Sequence, residues 1–162
     1  MANISTKYVS SFSELYVGTT TNASVSNNSQ MVALLGTSAH NKVNLVAEIG
    51  TISNEANIID VPAFGDTYRQ KLRGQLDAGQ LDAVLYWAPR DAQHLVLRNA
   101  ATNGTTLYVT IKWKDDATGT NTEYVTFKAF VSSFGIDTTF DDVAKANCTF
   151  AIDGALNFIA GS

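Results

Sequence analysis

Cysteine occurs once in the 162 residues, at Cys148, and proline twice, at Pro62 and Pro89. A single thiol excludes an intrachain disulfide and any thiolate metal cluster, and Cys148, in an alternating segment, reads as a small core residue. Histidine is nearly as scarce. His40 and His94 stand far apart, and neither a His-Glu-X-X-His nor a Cys-X-X-Cys spacing is present to ligate a metal. Charged residues make up only 16% of the chain, against about 25% in an average soluble protein. The 11 Lys and Arg are scattered and the net charge is -4, which excludes gripping nucleic acid phosphate as the main task. No run of 18 apolar residues occurs, and Met1 to Thr21 is polar, so neither a spanning helix nor a secretory leader is expected. Gly-X-Ser-X-Gly, Gly-X-Gly-X-X-Gly and the Walker lysine loop are missing too. Asp115-Asp116 and Asp141-Asp142 lack the spacing of a calcium loop and read as solvated turns. The expectation is therefore no catalytic residue, no cofactor and no metal.

Ser, Thr, Asn, Gly and Ala fill the shortage of charge, while 45% of the residues are hydrophobic. A chain of this length is one domain, 1–162, able to bury a core without covalent help. A surface so poor in Lys and Glu fits one that another protein covers. Within the domain, 1–42 stands apart as an N-terminal arm and loop region, with Lys7, Glu14 and Lys42 its only charged residues. Glu14 to Gly18 reads as a short strand, Thr19 to Gln30 as a polar loop, and Met31 to Leu35 as a brief apolar run.

Beyond the arm, Val43, Leu45, Ala47 and Ile49 alternate with polar neighbours, the period of a half-buried strand. Leu81, Ala83, Leu85 and Trp87 repeat the pattern. Asp91 is placed to cap a short helix through Ala101, with Ala92, Leu95, Val96 and Ala100 as its apolar stripe and Gly104 as its stop. His94 is expected half-exposed on that helix. Leu107 to Lys114 and Tyr124 to Val131 alternate on either side of a polar turn, which predicts a β-hairpin. Cys148, Phe150 and Ile152 mark a final strand, and Asp153-Gly154 a turn before Leu156 to Phe158. The expected class is mainly β, a β-sandwich or partly closed barrel with one short flanking helix and a long inter-strand loop.

That loop, Thr51 to Ala78, shows no clean period and is longer than compact domains usually leave unstructured without a use. It gathers Ile58, Ile59 and Phe64 with Tyr68, Arg69, Lys71 and Arg73, residue types favoured where subunits meet. A surface excursion over the end of a sheet would suit the same residues. We single out these seven as candidate subunit-interface residues.

The order of short motifs is informative: Val46-Ala-Glu-Ile-Gly-Thr-Ile-Ser53, Ile59-Asp-Val61, Tyr68-Arg69, Gly74, Asp77-Ala-Gly79, the helix start at Asp91, and Phe127-Lys-Ala-Phe-Val-Ser-Ser-Phe-Gly135. Over Val43 to Phe158 this series resembles the major tail tube proteins of long-tailed bacteriophages. The resemblance implies a sandwich closed towards a barrel, self-association into hexameric rings stacked as a hollow tube, and a place in the virion tail after assembly in the host cytoplasm. It implies a tape measure protein and tail-end proteins as partners, and transient, non-specific passage of DNA. Six copies at -4 each would carry -24 per ring, and lumen acids would repel a sliding duplex rather than hold it. Glu48, Asp82 and Glu123 are the strand acids that are candidates to face the lumen. Other readings remain: the tube protein of a contractile injection or type VI secretion system, or a β-sandwich binding module such as a lectin or capsid decoration protein, suggested by Trp87, Trp113 and Tyr108. Alternation puts both tryptophans on apolar faces, which favours packing over sugar stacking. A small hydrolase would have Asp and Ser residues but no positioned base.

Overall fold

The computed structural model describes residues 13–19, 25–35, 40–115, 118 and 121–161. Half of the polar arm expected over 1–42, and the centre of the turn after Asp115, lie outside the described residues. The elements in chain order are β1 (Glu14–Gly18), α1 (Asn28–Leu35), β2 (His40–Lys42), β3 (Val46–Ile49), β4 (Glu55–Val61), β5 (Gln70–Asp77) and β6 (Gln80–Tyr86). They continue with α2 (Ala92–Asn103), β7 (Thr106–Lys114), β8 (Thr122–Asp137), β9 (Lys145–Ile152) and β10 (Asn157–Ala160). Eight strands form one antiparallel sheet in the order β2-β1-β7-β8-β9-β6-β3, with β10 also on β8, and β4 and β5 form a separate pair. The path ends at β2 and β3 without closing into a barrel.

The 16-residue strand β8 belongs to both halves of the molecule. Its first half pairs with β7 on one edge and with β10 on the other, and from Ala129 onward that second edge passes to β9. A bulge between Val131 and Ser133 bends it at the handover. Bulges add twist and let one strand serve two layers, so the sheet folds over on its apolar face. Leu15, Val17, Leu107, Val109, Ile111, Val125 and Phe127 from one half meet Leu81, Leu85, Val131, Cys148 and Phe150 from the other in one buried cluster. Alternation places these residues on a single face, and at about 1.5 to 3 kcal/mol per fully buried side chain they supply the main drive to fold.

Three local details depart from the expectation. The run Met31 to Leu35 is the end of a second helix: Asn27 Oδ1 accepts from Gln30 N–H at 2.9 Å, and Met31, Leu34 and Leu35 fall at helical spacing on a small cluster with Val25, Tyr124 and Ile159. The strand expected over Val43 to Ile49 is interrupted at Leu45, whose φ of 60° and exposure break the alternation. That connector crosses between halves, with Val43 N–H donating to Leu15 O and Tyr86 N–H donating to Leu45 O. Helix α2 begins and ends where its caps predict, at Asp91 and Gly104, the latter with φ 68°. Of the expected stripe it buries Ala100 but not Ala92, Leu95 or Val96, and His94 and Leu97 are buried in their place.

His94 is fully buried because both ring nitrogens have backbone partners. Nδ1 accepts from Ala88 N–H at 3.2 Å, so Nε2 carries the proton and donates to Asn44 O at 2.7 Å. Trp87 stacks on the ring at 5.9 Å and meets Phe134 edge-on. The helix is thereby pinned to the β2–β3 connector. On the opposite face of the sheet, Glu14 Oε1 accepts from Lys114 Nζ at 2.5 Å and Lys42 Nζ at 3.1 Å, and Glu14 Oε2 accepts from Tyr16 OH at 2.7 Å. Burial by itself pushes the Glu14 carboxyl up, and the bonds from Lys114, Tyr16 and Lys42 outweigh it, lowering the pKa from 4.5 to about 2.

Two outcomes are expected. On acidification, the unfolded chain takes up the Glu14 proton near 4.5 and the folded protein only near 2. The carboxylate's contribution is therefore complete above about pH 5 and is lost as pH falls towards 2. Glu14→Gln should cost about 2 kcal/mol at neutral pH, with the gap to wild type shrinking below about pH 5 and nearly closed by about pH 2, measured from urea midpoints. His94→Ala should cost about 3 kcal/mol at neutral pH by the same measurement, since it leaves a cavity and two unpaired backbone groups.

Candidate functional site

The segment expected to be an irregular loop is for the most part a hairpin. In β5, Gln70, Leu72, Gly74 and Leu76 alternate with Lys71, Arg73, Gln75 and Asp77, which is strand patterning. It pairs with β4 in the register Val61 opposite Gln70, Ile59 opposite Leu72 and Ile58 opposite Arg73, slipping at a bulge between Ala56 and Ile58. Gly74 sits against that bulge. A Cβ there would lie 2.9 Å from Asn57 O, so only glycine lets the strands close at this point. Pro62 and Gly65, at φ 92°, shape the connecting tip of residues 62–69.

Directly opposed residues in an antiparallel pair share a face, so the register sorts the side chains. Ala56, Ile59, Val61, Leu72 and Leu76 form one face, and Ile58, Asp60, Lys71 and Arg73 the other. Both faces are open. Ile58, Ile59, Val61, Leu72 and Leu76 are all exposed, as are Phe64 and Tyr68 at the tip, the latter at 85%. None of Arg69, Lys71 and Arg73 enters an ion pair among the described residues. An isolated two-stranded hairpin is marginal in water, and one with an open apolar face needs a cover.

The seven residues singled out from the sequence thus fall on one projecting element. Ile59 lies on its apolar face, Ile58, Lys71 and Arg73 on its charged face, and Phe64, Tyr68 and Arg69 at its tip. The apolar face also includes Val61, Leu72 and Leu76. Leu72 and Leu76 escaped sequence reading because Gly74 interrupts the apolar series while the cations alternate visibly. The strand acids divide differently. Glu48 lies opposite Val84, and Asp82 is two residues along the same strand, so both share the outward face, where Asp82 Oδ1 accepts from Thr149 Oγ1 at 2.8 Å. Glu123 lies opposite Trp113, on the core face of its sheet and half-buried. The three acids do not form one surface.

A groove beside the free edge of β3, lined by Val46, Ile49, Ile52, Trp113 and Phe158, contains Glu48 as its single carboxylate. Burial pushes the Cys148 thiol up to about 12, which keeps it protonated. Among the described residues, no three His, Cys, Asp or Glu side chains are grouped to hold a metal, and no helix is long and apolar enough to cross a membrane.

Comparison with known proteins fits this geometry. Residues 22–161 match the family model described as phage tail tube, TTP, lambda-like. No curated protein matches the sequence. Among solved structures, the SPP1 tail tube aligns at TM-score 0.65 and 11% identity, over 96% of this chain and 80% of that one. The tail of a gene transfer agent particle, refined with C6 symmetry, aligns at 0.59 and 16%, over 77% and 90%. A chain of the anti-feeding prophage baseplate, six-fold symmetrised, aligns at 0.69 and 12%, over 97% and 98%. At these identities the structural likeness speaks for the fold. The match of the family model over most of the chain speaks for descent: this protein belongs to the lambda-like phage tail tube family and is a structural component of the virion tail.

Proposed function

We propose that the chain is the repeating subunit of a hollow tail tube, its copies joining head to tail in rings of six that stack into a conduit for DNA. The observation that carries this reading is the β4–β5 hairpin, an ordered element with an open apolar face and with cations that enter no ion pair among the described residues. Such a surface is unfavourable on a lone monomer and suits one completed by a second copy. The six-fold symmetry of the gene transfer agent tail and of the prophage baseplate supports the ring number. The outward face of β3 and β6, with Glu48 and Asp82, is the part we assign to the lumen, where carboxylates keep a passing duplex from adhering. The tube assembles around a tape measure protein and meets tail-end proteins at its termini.

The likeness to the anti-feeding prophage baseplate is one of fold, while the family model is that of a phage tube. A lectin-like role has little to stand on, since Trp87 is occupied by His94 and Phe134 and Trp113 packs against the core.

Two variants test the hairpin. Replacing Glu55–Asp77 by a short Gly-Ser linker should leave a folded monomer that forms no tubes by electron microscopy and sedimentation; normal tubes would refute the reading. Ile59→Thr with Leu72→Thr, directly opposed on the apolar face, should raise the concentration needed for assembly by about tenfold or more. The thermal midpoint of the monomer should move by only a few degrees, since both side chains are already exposed.

A further inference from the structure

The groove beside β3 has a volume of about 790 Å³ and opens where the two halves of the sheet part. Its lining takes Val46, Ile49 and Ile52 from the β3 side and Ile111, Trp113 and Phe158 from the facing half. Val46, Ile49, Ile52 and Trp113 are only half-buried, and Phe158 is exposed. Strand β3 pairs with β6 alone, so its other edge has no partner strand among the described residues. Apolar core that reaches water beside an unpaired strand edge is a surface that folded proteins usually cover.

Ser13 belongs to the same lining and is the first described residue. Its Oγ is buried and has no hydrogen-bond partner among the described residues. Residues 1–12 therefore start at the groove and need not reach it from elsewhere. Fully extended they span about 40 Å at roughly 3.3 Å per residue, enough to run past the four residues of β3. The part next to Ser13 is Tyr8-Val-Ser-Ser-Phe12, in which Tyr, Val and Phe are residue types that suit a strand. Lys7 is the segment's only charged side chain and Glu48 the groove's only one, so no like charges meet. A segment tethered at the rim also sees the groove at an effective concentration on the order of millimolar, an advantage over any partner arriving from solution.

We propose that residues 1–12 lie over this groove in their own subunit. Tyr8, Val9 and Phe12 cover Val46, Ile49, Ile52 and Trp113, and the backbone runs along the free edge of β3. The arm is then part of the core of a single subunit, whatever that subunit assembles into.

The test uses the full chain, kept unassembled by dilution and checked by light scattering. Trp113 is the reporter, since Trp87 is held by His94 and Phe134. Val9→Asp with Phe12→Asp should shift the tryptophan emission to the red and open it to iodide quenching. The same pair in a Trp113→Phe chain should change neither. Amide exchange over Val46–Ile49 should quicken about tenfold or more in the double variant, while β7 and β9 keep their protection. Emission and exchange that ignore the two substitutions would overturn the proposal. Wild-type shielding that is lost on dilution would reject it too, since the groove would then hold the arm of another copy. Should the double variant fail to fold, the wild type decides: free exchange of the β3 amides that face away from β6 would reject the proposal, and protection there would uphold it.

Discussion

The molecule depends on one continuous ladder of backbone hydrogen bonds along β8. This strand pairs with β7, β10 and β9, and its bulge turns a single sheet into two facing halves. The main buried cluster joins side chains from both sides of that bend. Without it the apolar faces of β1 and β7 would have nothing opposite them, and those of β6 and β9 would lie open to water. Helix α2 then closes one end, fixed by Asp91 at its start, the αL glycine Gly104 at its end, and His94 between two backbone groups.

Much of this was legible from alternation alone. The β7–β8 hairpin, β6, β9 and the caps of α2 are each written in local residue pattern, because a strand with one buried face or a helix with a capped end leaves a periodic trace. What was not legible depends on partners distant in sequence. His94 looks like a surface residue until Asn44 and Ala88 supply its hydrogen bonds. Leu45 continues an apolar series, yet the chain must cross between halves at that point, and the crossing needs a left-handed residue. Met31 to Leu35 is too short a run for its helical spacing to stand out.

The hairpin shows the same limit from the other side. Its residue types marked it for contact, but its pairing did not show, since a bulge and Gly74 break the period on both strands. Its two faces differ in kind: one is apolar, and burial of such a surface is non-directional, while the other holds Asp60, Lys71 and Arg73. The shortage of charge elsewhere on the chain makes that second face stand out.

Strand β6 runs from the base of the hairpin to Tyr86 and is flanked by β9 over its whole length and by β3 over part of it. A pull applied between the hairpin and the far end of the molecule therefore runs parallel to these strands. The hydrogen bonds between β6 and β9 would be loaded together in shear, rather than opened one after another as in a zipper. The fold therefore resists a pull along β6 better than one that peels β6 from β9.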